Sequence, residues 1–374
     1  MSTSTIDQLR DAELSYRTTL VGGAVGAFLL IALLGLLFPS SIWASLLGII
    51  TSRSTLSSAL RLSVPITFAA LGGIFAEKSG VINIGLEGLL IISAFTAVIT
   101  TAVIGPGTVI FTVPVVGVSL TAIWIGFFAG ILVSVLFSAI FAVVCIRYKA
   151  DQIIAGLAVW LIALGLAPFV STVYYGGVNT ENLGTSLGTW AIPVLSEIPF
   201  FGALFSAGPA VYMMLVAVPA SWFILNRTAF GRHIRASGEN PKALDTVGVD
   251  VSRVRYAGAL LSGFLSGIGG SALSLGLGQF IGTNQTMVNG KGFIAIVAYL
   301  FGNYNPLGAF GASFLFAGLD AVQIRLQQVQ GYTLPDSLIQ TIPYITVIVI
   351  LAFVGRTYIP SAAGEHYDSG EDNR

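Results

Sequence analysis

The stretch TAIWIGFFAGILVSVLFSAIFAVVCI, residues 121–146, runs for 26 residues without a charged side chain. About 20 apolar residues are enough for a helix to cross the roughly 30 Å hydrocarbon core of a bilayer. Because that core has no water to pair with the backbone, a crossing segment of this kind must be helical. The stretch therefore predicts a transmembrane helix. It also encloses Cys145, the single cysteine, so a disulfide framework is excluded.

Composition extends this prediction to the whole chain. Of 374 residues, 55% are hydrophobic and 9% are charged, against about 25% charged in soluble domains. So little polar surface suits a protein that faces lipid. The net charge of zero gives no reason to expect a nucleic-acid partner. His233 and His366 lie far apart and no cysteine is near either one, so no metal site is expected.

The apolar runs predict an all-α, polytopic membrane bundle of about ten transmembrane helices. Two runs, 64–76 and 292–302, are too short to cross alone. Short hydrophobic segments in a transporter mark broken helices that line its path; alternatively, these two helices extend beyond their apolar runs. The predicted spans are 20–38, 64–76, 86–103, 121–146, 151–173, 209–226, 254–278, 292–302, 306–326 and 336–355.

Basic residues set the expected orientation, because lysine and arginine concentrate in cytoplasmic loops. The loop 227–253 is rich in them and the loop 174–208 has none, so the first is expected inside and the second outside. Ten spans then place both termini in the cytoplasm. Four basic residues fall outside in this arrangement: Arg53, Arg61, Lys291 and Arg325.

The predicted spans and their orientation divide the chain into segments. Segment 41–62 is either an interfacial helix or the lead-in to the second span. The expected divisions are a cytoplasmic segment at 1–19, the transmembrane domain at 20–355 with its inner loop 227–253 and outer loop 174–208, and a polar, disordered cytoplasmic tail at 356–374.

The inner loop contains a short capped helix. Asn240 is a good N-cap, Pro241 suits the first helical position, and Gly248 can take the left-handed conformation that ends a helix. Between them Ala243, Leu244 and Val247 are expected to share one apolar face. Such a face is typical of a helix that docks into a groove on a partner. The alternative is a helix that lies on the membrane surface.

Three stretches now carry a resemblance to a family. FGRHIRASGENPKALDTVGVDVSRVRYAGALLSGFLSGIGG in the inner loop, AEKSGVINIGLEGLLIISAF at 76–95 and NGKGFIAIVAYLFGNYNPLGAFGASFLFAGLD at 289–320 resemble ABC importer permeases of the branched-chain amino acid, ribose and nucleoside group. The resemblance covers about 60–355. The second and third stretches look most like the smaller permease of nucleoside uptake systems. Ribose permeases differ, because they have an aspartate-led motif where this chain has Asn83-Ile84-Gly85.

The resemblance implies a non-catalytic subunit of the plasma membrane that binds no cofactor itself. Its expected partners are a cytoplasmic ATPase that hydrolyses ATP, a second related permease in a heterodimer, and an external substrate-binding lipoprotein. The implied cargo is a nucleoside, and a purine nucleoside first, with a sugar or a branched-chain amino acid as alternatives. The residues implied to couple to the ATPase are Glu239, Asn240, Pro241, Ala243, Leu244, Val247 and Gly248.

Polar residues within or beside the apolar runs are candidates for the translocation path, because charge is costly in a bilayer unless it is paired or faces water. Asn83 and Glu87 share one helix face, and the alternative reading is a structural hydrogen bond to a neighbouring backbone. The path candidates are Asn83, Glu87, Gln279, Asn284, Asn289, Asp320 and Gln323. By contrast, the glycines Gly267, Gly269, Gly270, Gly276 and Gly278 are interpreted as sites of close helix packing.

The chain has no G-x-x-x-x-G-K-[ST] loop, so it does not bind ATP by that route. An ion-coupled secondary transporter is the competing class, in which Glu87 and Asp320 would serve the ion. That class has no use for a capped docking helix in the inner loop. The sequence therefore favours an importer permease.

Overall fold

The structure is a computed structural model that describes residues 26, 29–30, 32–39, 41–113, 118–284, 286–328, 345 and 358–368. Within these residues seven helices are long and apolar enough to cross a membrane, and one apolar helix is shorter. The seven are α2 (Arg53–Lys78), α3 (Leu86–Ile104), α4 (Ala122–Ala142, continued as a π-helix over Val143–Arg147), α5 (Gln152–Tyr175), α6 (Pro209–Arg227), α9 (Val251–Leu277) and α11 (Pro306–Gln327).

Besides helical residues at 29–30 and 32–37 and the 3₁₀ helices Leu195–Glu197 and Phe201–Phe205, the structure describes four shorter α-helices. They are α1 (Ile42–Ile50), α7 (Ala229–Glu239), α8 (Pro241–Thr246) and α10 (Lys291–Phe301). Two small antiparallel strand pairs accompany them, β1 (Val109–Val113) with β2 (Val118–Thr121), and β3 (Trp190–Ala191) with β4 (Ser206–Ala207). The chain is therefore mostly helical, as predicted, with two short ribbons that its apolar runs did not indicate.

Side-chain caps fix where several helices begin. The Ser52 hydroxyl accepts from the Thr55 N–H at 3.2 Å, and the Asp151 carboxylate accepts from the Ile154 N–H at 2.9 Å. At the other end of α5, Gly176 ends the helix at φ +75°. Such caps satisfy the backbone groups that a helix terminus leaves unpaired.

Helix α9 packs against α2, α3 and α4, and α2 also packs against α10 and α11. Small residues let these backbones approach. A Cβ on Gly270 would overlap the backbone of Leu90, and one on Gly267 would lie 2.8 Å from the Ile131 Cα. The Ser134 hydroxyl donates to the Gly263 carbonyl at 2.8 Å, again between α4 and α9. Helix association in lipid relies on such contacts.

The expectation for the five glycines of this region is thus confirmed at Gly267 and Gly270, and also at Gly269, which approaches Pro65 of α2. It is wrong at Gly276, where a Cβ would meet nothing within 4 Å. Gly278 instead ends α9 in the left-handed conformation, at φ +72°.

The prediction of a short span at 64–76 is wrong. Helix α2 covers 26 residues from Arg53, so the ambiguous segment 41–62 divides into the separate helix α1 and the first turns of α2. The polar residues Arg53 and Arg61 shortened the apolar run without ending the helix. Pro65 lies inside α2 and does not end it either.

The prediction of a short helix at 292–302 is confirmed, because α10 has 11 residues. At 1.5 Å per residue it is about 16 Å long, roughly half of a bilayer core. The first predicted span, 20–38, is described only in part, and the last, 336–355, lies outside the described residues except for Ile345.

Two ends of the bundle can be defined by contacts. The α7–α8 end comprises the end of α2, the start of α5, helices α7 and α8, and residues 302–305. There the Ser237 hydroxyl donates to the Ser79 carbonyl at 2.7 Å, and the Ile82 N–H donates to the Gln152 side chain at 2.7 Å. At the opposite end segment 176–208 covers the end of α9, where the Leu183 N–H donates to the Gly278 carbonyl at 2.8 Å.

Candidate functional site

The side chain of Glu87 holds the start of the short helix α10. Its two carboxylate oxygens accept hydrogen bonds from the N–H groups of Gly290, at 2.7 Å, and Gly292, at 2.6 Å. Only 2% of Glu87 is exposed. A carboxylate at a helix N-terminus complements both the unpaired N–H groups and the positive end of the helix dipole. Glu87 is thus the cap of α10.

This junction lies well inside the bundle. Gly88, the residue after Glu87, packs directly on the backbone of Val159 and Trp160 in α5. Val159 lies seven residues after the start of α5, and thus about 10 Å from the α7–α8 end. Helix α10 therefore begins inside the bundle and runs towards the α7–α8 end. With 11 residues it is too short to cross a bilayer, and short or interrupted helices of this kind occur in transporters.

Two further charges lie near this junction. Lys291 interacts electrostatically with both Glu87 and Asp320 of α11. Its ammonium group also donates to the Val288 carbonyl at 3.1 Å. Charges inside a membrane are tolerated when they are paired or satisfied by backbone groups. Lys291 thus lies near two carboxylates, those of Glu87 and Asp320, at the start of α10.

The far end of α10 is held by a second buried carboxylate. Glu77, near the end of α2, accepts hydrogen bonds from the hydroxyls of Tyr299 and Tyr304, the latter at 2.6 Å. Burial, and then the nearby Glu77 charge, raise the pKa of Tyr304, so its hydroxyl stays protonated and donates. Lys78 lies 5.7 Å from the centre of the Tyr304 ring.

The two glutamates bring together the stretches 76–95 and 289–320, which lie about 200 residues apart in the sequence. Glu77 binds residues after and at the end of α10, and Glu87 binds its start. Sequence reasoning identified Glu87 but missed Glu77, Tyr299 and Tyr304. An ionisable residue beside an apolar run was the available signal for Glu77.

Asn83 is buried in the turn between α2 and α3, so the expectation that it shares a helix face with Glu87 is wrong: the helix begins three residues later, at Leu86. Its amide donates to the Ser262 hydroxyl of α9 at 3.0 Å and accepts from the Gly85 N–H at 3.0 Å. Asn83 and Glu87 both make hydrogen bonds that join separate elements. These contacts are the structural hydrogen bonds that the sequence analysis gave as the alternative to a role in the translocation path.

The remaining path candidates surround the approach to α10. Asn284 and Asn289 are exposed, while Gln279, Asp320 and Gln323 are half-buried. The two asparagines take positive φ angles of 58° and 46°, which asparagine tolerates better than most residues. The amides therefore reach solvent at the segment where the chain turns from α9 into α10.

Helix α8 has the predicted caps. The Asn240 side chain accepts from the Ala243 N–H at 3.0 Å, Pro241 occupies the first helical position, and Gly248 has φ +81°. Glu239 is the last residue of α7 and lies directly before this cap.

The prediction that Ala243, Leu244 and Val247 form one exposed apolar face of α8 is wrong for Leu244. Leu244 is 3% exposed and packs into the hydrophobic core, whereas Val247 is 73% exposed and Ala243 is exposed. A short helix on the bundle surface must bury one side against the bundle, and its largest apolar residue within the helix does so. The face left for a partner therefore contains Ala243 and Val247 without Leu244.

The tail was expected to be disordered, and its residues 358–368 lie against the α7–α8 end in turns and irregular chain. The Ala362 N–H donates to the Gly238 carbonyl at 2.8 Å, and the Tyr367 hydroxyl donates to Asp245 at 2.9 Å. Pro360 and Ala362 are buried. The polar residues that suggested disorder make specific hydrogen bonds in this segment.

A cavity of about 410 Å³ lies at the opposite end, between α2, α9 and the segment 186–211. Arg61 is the charged residue that lines it, and hydroxyls of Ser57 and Thr189 accompany it. Pro65 also lines the cavity and has no N–H to donate to the Arg61 carbonyl four residues earlier. The cavity thus combines apolar walls with a few donors and acceptors, as small-molecule sites do.

Membrane-long helices packed around a broken helix define a multi-pass membrane protein with the architecture of a transporter. A family model described as "Branched-chain amino acid transport system / permease component" matches residues 55–352. The chain belongs to this permease family, and it is an integral protein of the plasma membrane.

Three relatives illustrate the range of the family. The nucleoside ABC transporter permease protein NupC of Lactococcus lactis is 34% identical, covering 85% of this chain and 97% of the relative. The guanosine ABC transporter permease protein NupQ of Bacillus subtilis is 34% identical over 83% and 94% of the two chains. The fructose import permease protein FrcC of Rhizobium meliloti is 29% identical over 48% and 49%. No solved structure matches the chain.

Proposed function

We propose that this chain is a permease subunit of an ATP-driven importer and forms the path for a nucleoside, a purine nucleoside first. The observation that supports a nucleoside as the cargo is the similarity to two relatives named for nucleoside and guanosine transport. Each similarity covers more than four fifths of the chain. The similarity to the fructose permease covers about half.

The geometry of α10 supports an uncharged cargo. A helix N-terminus inside a transporter is a natural site for an anionic group of the substrate. Here the Glu87 carboxylate already occupies the N–H groups of Gly290 and Gly292. A nucleoside has no charge to place there and offers donors and acceptors instead. The exposed amides of Asn284 and Asn289 and the half-buried ones of Gln279 and Gln323 can supply both.

The proposed topology has about ten spans, with the α7–α8 end and both termini in the cytoplasm. The exposed Arg227, Arg232 and Lys242 support this orientation, because basic residues collect on the cytoplasmic side. The segment 176–208 then covers the outer mouth, and the cavity beside Arg61 opens towards the outside.

The proposed ATPase contact is helix α8. Its exposed Ala243 and Val247 enter a cleft of the cytoplasmic ATPase, while the caps at Asn240 and Gly248 hold the helix ends. Pro241 and Glu239 set its start. In this proposal the ATPase hydrolyses ATP, an external binding lipoprotein delivers the cargo, and a second, related permease completes a heterodimer.

The test is uptake of labelled purine nucleosides and labelled sugars by cells that express the whole system. We expect uptake of the nucleosides that requires an active ATPase. Uptake of glucose or fructose without nucleoside uptake would show that the cargo is a sugar and would contradict the proposed nucleoside. Nucleoside uptake that persists without the ATPase and collapses with a protonophore would favour a secondary transporter.

A further inference from the structure

The segment Tyr358–Asp368, called the strap below, crosses the α7–α8 end and binds several elements there. It follows the family match, which ends at residue 352. Its contacts are therefore additions to the matched permease domain.

The strap binds both helices of the inner loop. The hydroxyls of Tyr358 and Ser361 each lie 3.2 Å from one carboxylate oxygen of Glu239, at the end of α7. The Tyr367 hydroxyl donates to the Asp245 carboxylate of α8 at 2.9 Å. Burial, and then the bond to Asp245, raise the pKa of Tyr367, so this hydroxyl remains a donor.

The strap also binds the transmembrane part. The Gly364 N–H donates to the Gly80 carbonyl at 3.0 Å, in the turn between α2 and α3. The guanidinium of the buried Arg255 in α9 donates to the Glu365 carbonyl at 2.6 Å. Lys149, which follows α4, pairs with Asp368.

One contact reaches the broken helix. The Tyr358 N–H donates to the Asn303 side chain at 2.9 Å, and Asn303 lies two residues after the end of α10. One residue, Tyr358, therefore touches both the end of α7, through Glu239, and the turn that follows α10.

Helix α8 needs such support. It has six residues, and an isolated helix below about 12 residues is marginal in water. Leu244 is the side chain of α8 that is buried in the bundle. The Tyr367 hydrogen bond to Asp245 gives α8 a second attachment besides the burial of Leu244.

We propose that the strap is a positioning element that holds α7 and α8 in register with the turn after α10, so that movement of α8 reaches the translocation path. This inference rests on the proposed function, since it takes α8 as the contact of a cytoplasmic ATPase. The positioning residues are Tyr358, Ser361 and Tyr367. Their hydroxyls bind Glu239 and Asp245, and the backbone N–H of Tyr358 binds Asn303, so the last contact is removed by truncation and kept by Tyr358→Phe.

The test uses the complete transporter reconstituted in proteoliposomes, and measures nucleoside molecules imported per ATP hydrolysed. The variants are Tyr358→Phe with Tyr367→Phe, and a chain that ends at residue 357. Tyr148→Phe is the matched control, because Tyr148 is an exposed tyrosine beside the same end. We expect the double variant and the truncated chain to hydrolyse ATP while the imported amount per ATP falls several-fold. Tyr148→Phe should leave this ratio unchanged.

A cross-linking experiment covers the case in which truncation prevents folding. Cys145 is the single cysteine, so replacing it with serine gives a background for Lys149→Cys paired with Asp368→Cys, whose side chains pair in the structure. A short thiol cross-linker that joins this pair should preserve the ratio, because the strap stays bound during transport. Loss of import on cross-linking would overturn the proposal.

An unchanged ratio in both the double variant and the truncated chain would also overturn it. Failure of the underlying function looks different, because the unmodified transporter would then fail to import nucleosides or would not require the ATPase. The control arms therefore separate an error about the strap from an error about the transporter.

Discussion

The side chain of Glu87 accepts a 2.6 Å hydrogen bond from the backbone N–H of Gly292, a residue 205 positions further along the chain. This bond and its companion to Gly290 join the start of α3 to the start of α10 inside the bundle. The positive end of the broken helix is thereby neutralised by the protein itself. The N–H groups of Gly290 and Gly292 are therefore already occupied and are not available to an external anion.

Replacing Glu87 should weaken both the fold and transport. Glu87→Ala leaves two N–H groups without their acceptor, at about 2–4 kcal/mol in the free energy of unfolding, whereas Glu87→Gln keeps one acceptor and costs about 1–2 kcal/mol. Thermal unfolding in detergent and nucleoside uptake measure the two effects. Glu197→Gln, on the exposed outer segment, is the control and should change neither. Equal stability of the Ala variant and the unmodified chain would contradict the capping role.

The close approach at Gly292 can be tested separately. A Cβ there would overlap the backbone of Glu87, so Gly292→Ala must push α10 away from α3 at a cost of about 1–3 kcal/mol. Gly311→Ala is the control, because α11 leaves open space at that position. We expect a lower melting temperature and reduced uptake for the first variant only. Normal uptake by Gly292→Ala would show that α10 can shift without consequence.

Helix α8 offers two residues with opposite predictions. Val247 is exposed, so Val247→Asp should leave folding within about 0.5 kcal/mol of the original and abolish co-purification of the ATPase. Leu244 is buried, so Leu244→Asp should destabilise the permease itself, since it buries an unpaired charge. Expression level and melting temperature separate the two. A Val247→Asp variant that still retains the ATPase would move the docking site elsewhere.

The cavity at the opposite end can be filled without disturbing the helices. Gly276 lines it, and a Cβ there would meet nothing within 4 Å, so Gly276→Phe projects a ring into the cavity. Gly165→Phe on α5, which also has open space, is the matched control. If cargo enters through this cavity, the first variant loses uptake while both retain the ATPase. Full uptake by Gly276→Phe would exclude the cavity from the path.

The sequence predicted those elements that depend on local chemistry. The uncharged run at 121–146 became part of one helix, α4 with its π-helical continuation, and the N-cap Asn240 and the left-handed Gly248 lie where their residue types predicted. The short length of α10 also followed from its apolar run. Each of these features is decided within a few residues of the chain.

Features decided by distant partners were not predictable in the same way. Nothing near Glu77 indicates that Tyr299 and Tyr304 are its partners, more than 200 residues away. The burial of Leu244 depends on which side of α8 meets the bundle, which helical periodicity alone does not decide. The start of α2 was missed because the helix begins at Arg53 and includes Arg61, whereas the apolar run begins only at Val64.

In the proposed mechanism this permease passes an uncharged nucleoside only when an ATPase is docked on α8. The most direct measurement is import of labelled guanosine into proteoliposomes that contain the permeases and ATPase, with the binding protein outside and ATP inside. We expect ATP-dependent guanosine import that Val247→Asp abolishes while the permease stays folded. Guanosine import that continues in the Val247→Asp transporter, or that needs no ATP, would contradict it.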